Sequence, residues 1–156
     1  MKKLLAGIFV LSVFPAFAQI SETTEGCLYS KHEIEAAFEA KVIKINGAKI
    51  TNARWGEGKF LSCDYVGSIH FTLAQEISGR NTDLPKKLPH PSIGGIEQIP
   101  SDPDGAYWRI AGPSILHLIY FRGNTQTKII IADIDTRNPS QLANVKTQAL
   151  KLRRIP

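Results

Sequence analysis

The chain has 156 residues, 43% hydrophobic and 21% charged, with a formal net charge of +5. That balance supports one domain with a real core, and no internal repeat is present. The basic excess is mild, short of the aligned phosphate contacts that nucleic-acid binding needs at physiological salt.

Lys2 and Lys3 precede an apolar run from Leu4 to Phe14, and Ala16-Phe17-Ala18 puts small residues where a signal peptidase reads them. The expectation is a signal peptide over residues 1–18, cleaved between Ala18 and Gln19. The apolar run is shorter than the ~20 residues of a spanning helix, and no second run of that length follows. A soluble periplasmic or secreted domain over 19–156 is therefore predicted, without stable membrane insertion. Loss of Lys2 and Lys3 takes the net charge from +5 to +3.

Two cysteines, Cys27 and Cys63, lie in that domain. An even count in an exported chain points to one disulfide, with a nucleophile or free thiols as the alternatives. A lipid anchor does not fit, because Cys27 follows Glu25-Gly26 well beyond the Ala-Phe-Ala site. Metal ligation needs closer cysteines or a histidine at ligand spacing, and neither is present.

After a polar stretch over 19–26, Ser30-Lys31-His32-Glu33 matches a capping box, and Ile34, Ala37 and Phe38 share a helical face. Leu28 or Tyr29 would supply the hydrophobic staple. Val42 to Ile45 reads as a strand, Asn46-Gly47 as a tight turn and Ala48 to Asn52 as a return strand. Trp55 to Gly58 reads as a turn. Lys59 to Val66 and Ser68 to Ile77 read as strands around Gly67.

Residues 79–104 read as a long Pro-rich loop with Pro85, Pro89, Pro91, Pro100 and Pro103, pinned to the core by Ile93, Ile96 and Ile99. Ala106 to Ile110 and Ile115 to Phe121 are predicted strands joined at Gly112-Pro113. Arg122 to Thr125 is a predicted hairpin turn, and Gln126 to Asp135 returns as a central strand apolar on both faces. A closing helix starts near Asn138-Pro139-Ser140 with a stripe of Leu142, Val145, Ala149 and Leu152. The basic tail Lys151-Leu152-Arg153-Arg154 reads as a solvated, dipole-favoured helix end. The fold class is α+β: an antiparallel sheet flanked by an N-terminal and a C-terminal helix, with one disulfide.

Chemistry is sparse. His32, His70, His90 and His117 share no motif, and His117, in phase with Ile115 and Ile119, reads as a satisfied core histidine. Asp133 and Asp135 are expected on one strand face as solvated charges. Asp102-Pro103-Asp104-Gly105 reads as a tight turn, because it lacks the spacing and terminal glutamate of a calcium loop. No Gly-x-Ser-x-Gly elbow or phosphate loop occurs. No catalytic residue, metal or cofactor is assigned. Trp55, His90, Tyr107 and Trp108, in or beside loops, are the candidate binding surface.

Cys27, Cys63, Gly105-Ala106-Tyr107-Trp108, Arg122-Gly123-Asn124 and the helix over 142–152 form a pattern similar to a loose class of small exported bacterial proteins. The resemblance implies a PsbP-like α/β sandwich and carries no catalytic residues. The functional expectation is a non-enzymatic binding or protein-interaction domain for a protein, peptide or glycan. The alternatives are an exported inhibitor or immunity protein using the 79–104 loop, and a small periplasmic hydrolase.

Overall fold

The computed structural model describes residues 26–52, 58–78 and 95–155. The expected signal peptide, Trp55, His90 and most of the Pro-rich loop lie outside these residues.

Helix α1 (Lys31–Phe38) begins as its capping box dictates: the Ser30 hydroxyl accepts from the Glu33 amide at 3.2 Å, and the Glu33 carboxylate accepts from the Ser30 amide at 2.8 Å. It ends at Glu39, whose φ of 52° turns the chain out of the helix. The Glu35 carboxylate then accepts from the Val42 amide at 2.9 Å and ties the helix exit to the first strand.

Seven antiparallel strands follow: β1 (Val42–Asn52), β2 (Gly58–Gly67), β3 (His70–Ser78), β4 (Ile96–Gln98), β5 (Tyr107–Gly112), β6 (Ile115–Arg122) and β7 (Thr125–Ala132). They form one sheet in the order β1-β2-β3-β7-β6-β5-β4. Helix α2 (Pro139–Ala149) closes the fold, with the Asn138 side chain accepting from the Ser140 and Gln141 amides. Among the described residues no helix is long and apolar enough to cross a membrane.

Both helices cover the same face of the sheet. Cys63 and Tyr65 of β2, Phe71 and Leu73 of β3, Ile129 and Ile131 of β7, Leu116, Leu118 and Tyr120 of β6 and Trp108 of β5 are buried there in one cluster. Ile34, Ala37 and Phe38 from α1 and Val145 and Ala149 from α2 complete it. The alternation is the period-2 consequence of the pleat. Phe71 is its aromatic centre, with the Tyr29, Phe38 and Tyr65 rings 5.4–6.0 Å away. β7 was expected to be covered equally on both sides. Instead its odd positions are buried and its even ones only half-buried, because both helices sit on the odd side.

Cys27 and Cys63 are joined in a disulfide with Cα atoms 5.8 Å apart. It fixes the segment before α1 to the middle of β2, and the Tyr65 hydroxyl donates to the Tyr29 carbonyl at 2.7 Å beside it. Gly67 is required where β2 passes under the α1–β1 connection. A Cβ there would come within 1.9 Å of the Lys41 carbonyl oxygen.

Four sequence expectations are corrected. Asn46-Gly47 is no hairpin turn: β1 runs through it, and an extra residue between Asn46 and Lys49 makes a bulge. A tight hairpin turn there would need positive φ, and neither residue has it. The Pro-rich loop contains β4, which pairs with β5. The last strand stops at Ala132, because Asp133 takes a φ of 60°, so Asp133 and Asp135 do not share a strand face.

The basic tail is not a solvated helix end. Arg153 pairs with Glu33 and donates to the Leu28 carbonyl, with its guanidinium 5.4 Å from the Tyr29 ring centroid. Arg154 pairs with Asp102 at 2.6 Å and stacks on Tyr120 at 4.5 Å. Ile155 is buried and its amide donates to the Tyr120 hydroxyl at 3.0 Å. The tail is a clasp over the sheet.

Edge strand β1 presents Ile43, 76% exposed, and Ile50, 65% exposed. Two bulges and the exposed Lys41, Lys44 and Lys49 guard that edge against pairing with another chain.

Replacing Cys27 and Cys63 together by alanine is expected to lower the unfolding free energy by ~2–5 kcal/mol, read from urea unfolding of the oxidised and mutant proteins. An unchanged midpoint would show that the staple contributes nothing. Glu33 gives a second test. Burial works to raise its carboxyl, but the Ser30 amide and Arg153 outweigh it and hold the group below the usual carboxylate range. Its folded value lies below its unfolded one, so its stabilisation is full above the ordinary carboxylate range. That stabilisation is lost as the pH falls through the folded value. Glu33→Gln should therefore flatten the acid limb of the stability curve below about pH 4.5. A parallel limb in the variant would assign that limb to other groups.

Candidate functional site

Among the described residues, those singled out in the sequence do not converge. Cys27 and Cys63 are consumed by their disulfide. Tyr107 and Trp108 are adjacent in β5 and so point to opposite faces. Trp108 is 3% exposed in the core beneath Lys146, whose ammonium is 5.8 Å from its ring centroid. Tyr107 stacks on Phe121 on the other face, centroids 6.5 Å apart. The two rings cannot form one surface. His32 is exposed on α1, and His70 lies 3.9 Å from Asp133 at the end of β3. Among the described residues no three His, Cys, Asp or Glu side chains are grouped to hold a metal ion.

The Asp102 turn is as expected from its residues, and its carboxylates are occupied. One Asp102 oxygen accepts from the Asp104 and Ala106 amides, and the other takes Arg154. Asp104 pairs with Arg122 at 2.9 Å. A groove of about 310 Å³ runs between α1 and the tail, lined by His32, Glu33, Ala36, Lys151 and Arg153 among others. Its Glu33 and Arg153 are committed to the helix cap and the clasp, so it offers little free chemistry.

The helix-free face of the sheet is different. The register lays Asp64, Thr72, Ile130, His117 and Arg109 side by side across β2, β3, β7, β6 and β5. The next row is Ser62, Ala74, Lys128, Ile119 and Tyr107. Ile119 is 2% exposed and Tyr107 4%. His117 thus has Arg109 directly opposite on one neighbouring strand and Lys128 diagonally placed on the other.

The expectation of a satisfied core histidine fails at His117 on both counts. It sits on the face opposite the core, and its Nδ1 is buried without a hydrogen-bond partner. Burial, reinforced by Lys128 and then Arg109, pushes the imidazole down to about 4, so it is neutral at physiological pH. Neither the Arg109 nor the Lys128 side chain makes an ion pair or hydrogen bond in the described structure. The nearest carboxylate along the His117 row, Asp64, is three strands from His117 and accepts from the Thr72 hydroxyl at 2.8 Å. The alternation of β6 held the phase of His117. Which phase faced the helices was not written there, because Ile115, Ile119 and Leu116, Leu118 are equally apolar.

His117→Leu tests this environment. The folded imidazole titrates well below an unfolded histidine, so the unfolded chain takes up a proton first and stability falls as the pH drops from about 6.5 towards 4. The leucine variant should lose that slope and gain about 1 kcal/mol near neutrality by removing an unsatisfied buried nitrogen. Thermal melts across this range read both effects, and an unchanged slope would mean that the imidazole is solvated.

No protein-family model, curated protein or solved structure matches the chain. The chemistry of the face is read from its own residues.

Proposed function

We propose that the protein is a non-enzymatic binding domain of the periplasm or secreted space, and that it binds through the helix-free face of its sheet. The observation that carries this reading is the unpartnered Nδ1 of His117 on that face, set among Ile119, Ile130 and the Tyr107–Phe121 stack. Buried polar groups in native structures are nearly always paired, and an orphan among buried and half-buried apolar and aromatic side chains fits a site that a ligand completes. The disulfide and the expected signal peptide support export. The helix-covered face has its polar groups committed to caps and to the clasp, which leaves the other face as the surface for recognition. The inhibitor reading turns on a loop whose first sixteen residues, 79–94, are outside the described structure, and no observation favours it.

Affinity capture from native extract tests the proposal. Ile130→Gln alters the helix-free face at a half-buried position, and Ala143→Gln alters the exposed side of α2. Whatever the unmodified protein retains should be retained by Ala143→Gln and lost by Ile130→Gln, with both variants melting cooperatively. Retention by Ile130→Gln at the unmodified level would remove this face as the binding surface.

A further inference from the structure

We infer that Arg109, His117 and Lys128 form a binding site for a tetrahedral oxyanion, a sulfate or phosphate group carried by a small ligand, on the helix-free face of the sheet. The inference rests on the reading of that face as the binding surface and names the chemistry it takes.

Three basic residues come from three successive strands, β5, β6 and β7, so their backbones are ~5 Å apart from strand to strand. Arg109 and Lys128 have no anionic partner in the described structure, and His117 has a buried nitrogen with nothing bound to it. The other charged or titratable groups on this face are farther off. Asp64 is held by Thr72, Glu76 is diagonal to Lys128 across β3 and β7 but makes no ion pair with it, and His70 lies beside Asp133 at the opposite end. Tyr107 flanks Arg109 two residues along β5. The patch around His117 thus holds three basic groups, none of them ion-paired in the described structure, next to buried apolar side chains that lower the local dielectric.

Such a patch is complementary to an anion, and the arrangement of donors selects its shape. A carboxylate offers two oxygens in one plane, which a single guanidinium can satisfy. Donors approaching from three strands suit a group whose oxygens point in three directions. An anion seated there would also oppose the two charges that disfavour protonation of His117. Binding would then take up a proton and tighten as the pH falls. An uncharged ligand would gain none of this.

The test is NMR titration of the purified, disulfide-bonded protein with sodium sulfate, at constant ionic strength held by chloride. Sulfate is used because it stays a dianion throughout the range, so any pH dependence belongs to the protein. Inorganic phosphate is the second probe. Saturable shifts centred on Arg109, His117 and Lys128 are expected with both. Affinity should be several-fold tighter near pH 5 than near pH 7.5. Arg109→Gln or Lys128→Gln should weaken binding roughly tenfold. His117→Asn should remove the pH dependence while the two cations still bind. Non-saturable shifts, or binding unchanged in the Arg109→Gln, Lys128→Gln double variant, would overturn the site. If sulfate and phosphate fail while Ile130→Gln still abolishes capture, the oxyanion is wrong and the binding face stands. If sulfate binds as expected and capture ignores Ile130→Gln, the site stands and the capture surface lies elsewhere.

Discussion

The two ends of the described chain meet at Tyr29, and the architecture depends on how that residue is held. Its side chain is fully buried, so its hydroxyl must find a partner or cost the fold ~1–3 kcal/mol. The hydroxyl donates to the Arg153 carbonyl at 2.8 Å, while the Tyr29 carbonyl accepts from Tyr65. Burial raises the phenol far above its ordinary value, with the Tyr120 hydroxyl the next contributor, so it stays protonated as a donor. Two residues before it stands the disulfide and one residue after it the helix cap. A single buried ring therefore registers α1, β2 and the C-terminal tail against one another.

That convergence makes the sheet one-sided. Residues from the tail and both helices all close over the Phe71 face, where apolar burial is the dominant gain. The aromatic cluster and the clasp satisfy the polar groups of that side, including the Arg153 and Arg154 guanidiniums on their tyrosine rings. On the opposite face the Arg109 and Lys128 side chains and His117 Nδ1 have no partner in the described structure. An unpaired basic group beside apolar surface destabilises the fold in proportion to its desolvation. The stapled, clasped side supplies the stability that lets the other side tolerate it.

The sequence was most informative where structure is local. The Ser30 capping box, the Asn138-Pro139 helix start, the Gly123-Asn124 hairpin and the Asp102 turn each follow from residues within a few positions of one another, and each forms as read. The disulfide followed from cysteine count and expected compartment, a constraint that needs no fold. What failed was non-local. Asn46-Gly47 carries a turn sequence, but pairing of β1 with β2 on both sides of it outweighs that preference and converts it to a bulge. Arg153 and Arg154 looked like solvent-facing charges because Glu33 and Asp102 are far away in sequence. His117 looked like core because its strand is apolar in both phases, and only the placement of the helices decides which phase is covered. The candidate site was hidden for the same reason: Arg109, His117 and Lys128 are separated along the chain and adjacent only across strands.

A bound anion would resolve the polar conflict at His117. In the free protein His117 escapes its surroundings by losing its charge, the usual response of a desolvated imidazole among cations. Deprotonation removes the repulsion but leaves Nδ1 unpaired, because Ile130 and Ile119 offer it nothing. Mutating the imidazole away would resolve the conflict for stability alone, and an apolar side chain would continue the run from Ile115 to Ile119 without interruption. A polar residue in that run gains nothing from packing alone and would gain a partner from a group outside the fold. A neutral donor or acceptor could pair with Nδ1 of the uncharged ring, but only an anion would also offset the Arg109 and Lys128 charges beside it. The anion must also reach a nitrogen on a rigid sheet, held in place by a staple and a clasp on the far side.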